Sequence, residues 1–106
     1  ERLDIGQPIP DFASIGSLHF EAPDLERFPC LRLAFEAARI GETLPAVMNA
    51  ANEVAVYAFL DRQIGFLDIA DSIERVMADH RVPPHSTLDD IFEADRWARQ
   101  RAREIL

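Results

Sequence analysis

The chain has 106 residues, 48% of them hydrophobic, with a formal net charge of −8, a pI near 4.7 and a mean hydropathy of −0.10. This is enough apolar material for one core and too little for two independent ones. An acidic balance without a single lysine excludes nucleic acid as a partner of the surface as a whole, since phosphate binding rests on clustered Lys and Arg. No run approaches the roughly 18 apolar residues of a membrane span, and no secretory signal pattern opens the chain. The lone cysteine, Cys30, cannot close an intrachain disulfide; it suits a reducing cytoplasm and is expected to be buried as a small apolar residue.

Residues 1–23 contain Pro8, Pro10, Pro23, Gly6 and Gly16, and no helical period survives that punctuation. They are expected to form an extended linker with a possible short strand at 17–21, and either to strap the helices or to pair with a sheet elsewhere. Residues 24–106 are expected to form the folded domain. Asp24 can cap a turn by accepting from Glu26 or Arg27. Pro29 and Gly41 then suit the first position and the exit of a helix. Within it Leu31, Ala34, Phe35 and Ala38, widened by Ile40, form the expected inward stripe, with Arg32, Glu36 and Arg39 outside.

A central helix follows from Pro45, with Thr43 or Leu44 at its cap, about 27 Å long if it runs to Arg62. Its apolar face comprises Val47, Met48, Ala51, Val54, Ala55, Ala58 and Phe59, beside a polar wedge of Asn49, Asn52 and Glu53. One turn on, Val56 and Leu60 take over the wedge, so the second half should be buried nearly all round. Gly65 is expected to end this helix and Asp68 to cap the next from Ile69, with Asp71 in the capping-box position. Ile69, Ile73, Val76 and Met77 face inward there, and Asp71 and Arg75 form an outward pair.

Val82, Pro83 and Pro84 force a loop. Ser86 or Thr87 caps a last segment whose Leu88, Ile91 and Phe92 would bring Asp95 onto the apolar face. That carboxylate predicts a break near residues 93–95, with Asp95 capping a final helix in which Trp97, Ala98, Ala102 and Ile105 turn inward. Arg96, Arg99, Arg101 and Arg103 suit the negative end of that helix. The expected fold is all-α, a small antiparallel bundle of three to four main helices.

The residues offer little chemistry. His19, His80 and His85 show no metal spacing, and His80 reads best as a favourable cation at a helix C-terminus. Glu53 with Asn49 and Asn52 is the one polar cluster in an apolar setting. A general base is one reading; the favoured one is a structural wedge bonding unpaired backbone groups of a neighbouring loop or helix end, since no nucleophile, cationic partner or phosphate loop accompanies it. Glycine-rich cofactor, Walker and triad patterns are absent from the sequence. No catalytic, cofactor-binding, substrate-binding or metal residue is therefore expected in this chain.

The residue string itself carries more. LPAVMNAANEVAVYAFLDRQIGFLDI at 44–69, preceded by LHFEAPDLERFPCLRLAFEA at 18–37, resembles the C-terminal part of the 1-deoxy-D-xylulose-5-phosphate reductoisomerases. The likeness runs from the IPDF segment at 9–12 to the arginine-rich end, with NAANE, AFL, IGFLDI and FPCL in order and spacing. It implies an NADPH-dependent enzyme of non-mevalonate isoprenoid biosynthesis that uses Mg²⁺ or Mn²⁺. It further implies a homodimer joined through a central domain, and a helical C-terminal module partnered by the catalytic and NADPH-binding domains of its own polypeptide. The family's cofactor, metal and phosphate residues match no position here, so the chain alone is expected to bind neither NADPH nor metal and to be inactive. The alternative is a free-standing helical adaptor.

Overall fold

Proline at the start and glycine past the end delimit the first long helix: Pro29 lacks only an N–H that a helix start leaves unbonded, and Gly41, at φ 72°, donates its N–H to the Ala37 carbonyl. The structure, a computed structural model, describes residues 3–106; Glu1 and Arg2 of the expected linker lie outside the described residues. One short turn, α1 (Phe12–Ile15), precedes four longer helices: α2 (Pro29–Ile40), α3 (Leu44–Leu60), α4 (Phe66–Asp79) and α5 (Leu88–Ile105). The fold is all-α. Helix α3 is its centre, packing on α2, α4 and α5, with the α3–α5 interface the most extensive.

The core joins Leu33 and Ala37 of α2, Val47, Ala50, Ala51 and Ala55 of α3, Ile69, Ile73, Val76 and Met77 of α4, and a row of three alanines, Ala94, Ala98 and Ala102, from α5. Alanine rows on both α3 and α5 leave little side chain between the two backbones. The α4 face is the one its 3.6-residue period predicts, and Trp97 and Ile105 pack at the core edge.

Several expectations are corrected. No strand forms among the described residues, 17–21 included, and 12–15 makes a helical turn capped by Asp11, whose carboxylate accepts from Ala13 N–H at 3.1 Å. Residues 3–23 are exposed throughout and α1 touches none of the other helices, so the connector is not a strap on the bundle. The Asp24 turn does form, its Oδ1 accepting from Glu26 and Arg27 at 3.1 and 2.9 Å.

Helix α2 is rotated relative to the expected stripe: Leu33 and Ala37 are buried, whereas Leu31, Phe35, Ala38 and Ile40 are exposed. Arg32 stays on the outer side as expected, 3.8 Å from Glu36, and also reaches Glu74 of α4 at 2.6 Å. The second half of α3 is not buried all round, since Tyr57 and Leu60 are exposed. This helix stops at Leu60, before Gly65, because Arg62 takes the left-handed conformation at φ 60°. Arg62 and Gln63 donate their N–H groups to the Phe59 and Ala58 carbonyls at 2.9 and 2.8 Å, which closes the helix end.

Helix α4 accordingly begins at Phe66, with Asp68 reaching back to Gly65 N–H at 2.7 Å as the third residue of the helix rather than its cap. Asp71 and Arg75 form no ion pair. Finally, α5 is continuous through residues 93–95 from a Thr87–Asp90 capping box. The inward row is the alanines, one position off Asp95, and Arg99 one turn on neutralises that carboxylate, which removes the need for a break.

Candidate functional site

The polar wedge of α3 meets α5 across the central seam. Arg99, one face of its helix turned to α3, donates from Nη1 to Glu53 Oε2 at 2.8 Å, and from Nε and Nη2 to Asp95 Oδ2 and Oδ1 at 2.8 and 3.2 Å. Asn49 Nδ2 adds a longer contact of 3.4 Å to the other Glu53 oxygen. Hydrogen bonds to Asp95, then to Glu53, raise the already high proton affinity of the guanidinium, so this group is a fixed cation. The partner of the wedge is a side chain 46 residues away rather than the backbone of a neighbouring loop or helix end expected from the sequence. A cationic partner does accompany Glu53; the signal that could have found it is Arg99 four residues after the otherwise unfavourable Asp95.

Asn52 stands apart from that network and lines an apolar groove of about 280 Å³ between the start of α2, the middle of α3 and the start of α4. Phe28, Val56, Phe66, Leu67 and Ile69 form most of its surface, and Cys30, expected to be buried, is exposed at its edge. Beyond the groove, Leu31 and Phe35 follow Phe28 along α2 at helical spacing and are exposed, with Phe35 63%, Phe66 70% and Leu67 76% exposed. A bundle with a full core of its own has no folding reason to leave such large side chains in water, and contiguous patches of this kind mark contact surfaces.

Arg101 of α5 holds Asp79 of α4 at 2.8 Å and Glu104 at 3.3 Å. His80 ends α4, but not as the expected cation: burial pushes its pKa below the ordinary 6.5, and its Nε2 lies 2.8 Å from Thr43 Oγ1. Among the described residues no three His, Cys, Asp or Glu side chains converge as metal ligands, and no buried side-chain nitrogen or oxygen lacks a hydrogen-bond partner. These residues therefore do not fit a divalent ion, and the groove, apolar with one arginine at its rim, does not fit the phosphates of a dinucleotide. No helix of the described residues is long and apolar enough to cross a membrane.

A family model described as the DXP reductoisomerase C-terminal domain matches residues 1–101. The 1-deoxy-D-xylulose 5-phosphate reductoisomerases of Chlorobium limicola and Desulfosudis oleivorans are 56% and 57% identical to the chain over all 106 residues. Among solved structures, the reductoisomerase from Zymomonas mobilis in complex with NADPH aligns over 99% of this chain with a TM-score of 0.83 and 46% identity. A DOX-P reductoisomerase in complex with magnesium aligns over the same share with a TM-score of 0.83 and 35% identity. The chain spans 28% of the length of each of these relatives.

Proposed function

Because the chain belongs to the DXP reductoisomerase C-terminal domain family, we propose that it serves as the helical module of an NADPH-dependent enzyme. That enzyme converts 1-deoxy-D-xylulose 5-phosphate to 2-C-methyl-D-erythritol 4-phosphate, with Mg²⁺ or Mn²⁺, in isoprenoid biosynthesis. In this reading residues 24–106 are a bundle that carries no catalytic, cofactor, substrate or metal group, and residues 1–23 are the linker that joins it to the catalytic and NADPH-binding domains. Those domains supply the reactive groups and the homodimer contact. The exposed thiol of Cys30 supports a reducing, cytoplasmic setting.

The observation that carries the proposal is the match along the whole chain, joined to an apolar face that the bundle's own core leaves open. Docking this face against the rest of the polypeptide removes it from water, and Leu18 and Phe20 anchor the linker in the same way. The bundle then acts by holding the catalytic domains in place rather than by touching substrate.

A graft tests this. The Zymomonas mobilis reductoisomerase, truncated of its matching segment, is fused to this chain, and NADPH oxidation with 1-deoxy-D-xylulose 5-phosphate and Mg²⁺ is followed. The fusion is expected to regain activity that the truncated enzyme lacks, while this chain alone shows none. Turnover by the chain alone, or full activity of the truncated enzyme, refutes the proposal; a fusion as inactive as the truncated enzyme would favour the adaptor reading.

A further inference from the structure

Two side-chain hydrogen bonds tie the α2–α3 turn to the α4–α5 loop, and both run through groups that change charge in acid. His80 places Nε2 2.8 Å from Oγ1 of Thr43, while its ring lies on Trp97 of α5 with centroids 5.1 Å apart and planes inclined by 37°. Thr43 is fully buried, and this is its hydroxyl's one side-chain partner. Next to it, Glu42 Oε2 accepts the backbone N–H of Ser86 at 2.8 Å. The same junction holds two of the chain's three described non-glycine residues at positive φ, Glu42 at 53° and His85 at 55°. Such conformations persist only while their surroundings enforce them.

The charges around His80 do not draw a proton onto it. Arg32, Glu36 and Glu74 line the cleft on one side of the ring, and Arg81, Asp90 and Glu93 the cleft on the other. Glu36 and Glu74 are paired with Arg32, the adjacent Asp79 is held by Arg101 of α5, and Asp90 accepts from Thr87. Only Arg81 and Glu93 remain uncommitted, and they are of opposite sign. The indole face favours an imidazolium, but with no free excess of carboxylate the loss of water outweighs it, which is why burial lowers the His80 pKa. Glu42 faces Ser86 and His85, and its pKa is lowered first by the Ser86 N–H and further by the charge of His85.

We propose that this junction is an acid-released latch: proton uptake by His80 opens the Thr43 tie, proton uptake by Glu42 at lower pH weakens the Ser86 tie, and the two strained loops part while the helical core stays packed. This goes beyond the docking role, because it concerns the end of α2 remote from Phe28 and needs no other domain. A neutral ring with its proton on Nδ1 accepts the Thr43 O–H. An imidazolium can only donate, so the hydroxyl must turn its oxygen to the ring, and the proton of this fully buried hydroxyl loses its acceptor. A protonated Glu42 is likewise a weaker acceptor than its carboxylate.

The sign follows from the shifts. With its folded pKa below 6.5, His80 takes its proton first in the open form, so opening gains as pH falls below that value until the closed form also titrates. Glu42, lowered from 4.5, keeps its tie above that value and loses it as pH falls through the lower folded one.

Amide hydrogen exchange on the 106-residue chain, corrected for intrinsic rates, reads the latch at pH 7.5, 5.5 and 3.5. Protection at Leu44, His80 and Ser86, whose N–H groups are bonded at this junction to Gly41 O, Met77 O and Glu42 Oε2, is expected to fall between the first two, by at most about tenfold per pH unit for one proton taken up. Amides of Ala50–Ala55 should hold. His80→Gln should be flat over that interval, and Glu42→Gln should lose only the second drop, between pH 5.5 and 3.5. A flat response of the parent chain, a His80→Gln response like the parent's, or loss of core protection in step with the loops overturns the latch. Should His80→Gln fail to fold, emission of Trp97, the sole tryptophan, reads proton uptake at His80 in the parent, because an imidazolium against the indole quenches it, and its midpoint should coincide with the first loss of Ser86 protection, a mismatch of the two overturning the latch. A midpoint below pH 6.5 is expected; no transition, or one at or above 6.5, refutes it.

Discussion

Replacing Arg99 by Met keeps the aliphatic stem along the α3–α5 seam and removes all three hydrogen bonds of its guanidinium. The arm to Asp95 is an i, i+4 pair, and the arm to Glu53 bridges two helices. Relative exposures of 30% for Arg99, 33% for Asp95 and 45% for Glu53 place the network in partly screened surroundings, so each arm is discounted from buried values. The helical arm is then worth about 0.4 kcal/mol and the bridging arm up to about 1 kcal/mol. Exposing two carboxylates to each other adds a few tenths of a kcal/mol. The expected loss is about 1.5 kcal/mol, or roughly 8 °C in Tm for a domain of this size. Urea unfolding followed by far-UV circular dichroism measures it, with Glu53→Gln and the double variant closing a cycle whose coupling should be about 0.5–1 kcal/mol and should shrink in 1 M salt. A loss under about 0.3 kcal/mol, or strict additivity with Glu53→Gln, would refute the network as the bond between α3 and α5.

Two further variants probe the packing and the caps. Ala98→Leu inserts volume at a fully buried position in a row of buried alanines and should cost about 1–3 kcal/mol by the same unfolding measurement; an unchanged midpoint would mean that the α3–α5 seam has room to spare. Thr87→Ala removes the cap of α5 and should cost about 1 kcal/mol at neutral pH. The Thr87 N–H and hydroxyl hold the Asp90 carboxyl below its ordinary 3.8, so the stability this bond supplies is complete above that pH and lost as pH falls through the lower folded value. The variant should therefore show a shallower acid loss than the parent, and an identical acid profile would contradict the assignment.

Helix boundaries were legible wherever one residue's chemistry decides them, as at Pro29, Gly41 and Thr87, and the α4 face was legible because Asp68, Asp71, Arg75 and Asp79 lie away from Ile69, Ile73, Val76 and Met77, with Leu67 of the first turn the one large apolar exception. Helix α2 carries two apolar stripes, and size favours the wrong one: Phe35 outweighs Ala37 on any hydrophobic reckoning, yet Ala37 is the one in the core. A face that serves contact outside the bundle is indistinguishable, in sequence, from one that serves the core. The same ambiguity placed Leu60 inside. The false break in α5 came from following Leu88 and Phe92, both exposed, in place of Ala94, Ala98 and Ala102. The ties from Glu53 to Arg99 and from Thr43 to His80 span 46 and 37 residues, and no local period encodes them.

Two substitutions on the exposed apolar face separate docking from folding. Phe35→Ser and Leu67→Ser, both at side chains that the bundle leaves in water, are introduced together into the fusion with the truncated Zymomonas mobilis enzyme and, separately, into the 106-residue chain. The isolated variant is expected to melt within about 0.5 kcal/mol of its parent, as surface changes do, while the fusion loses most of the NADPH oxidation that the parent chain restores. Undiminished turnover in the fusion, or loss of activity matched by collapse of the isolated bundle, would contradict a module that works through its apolar face.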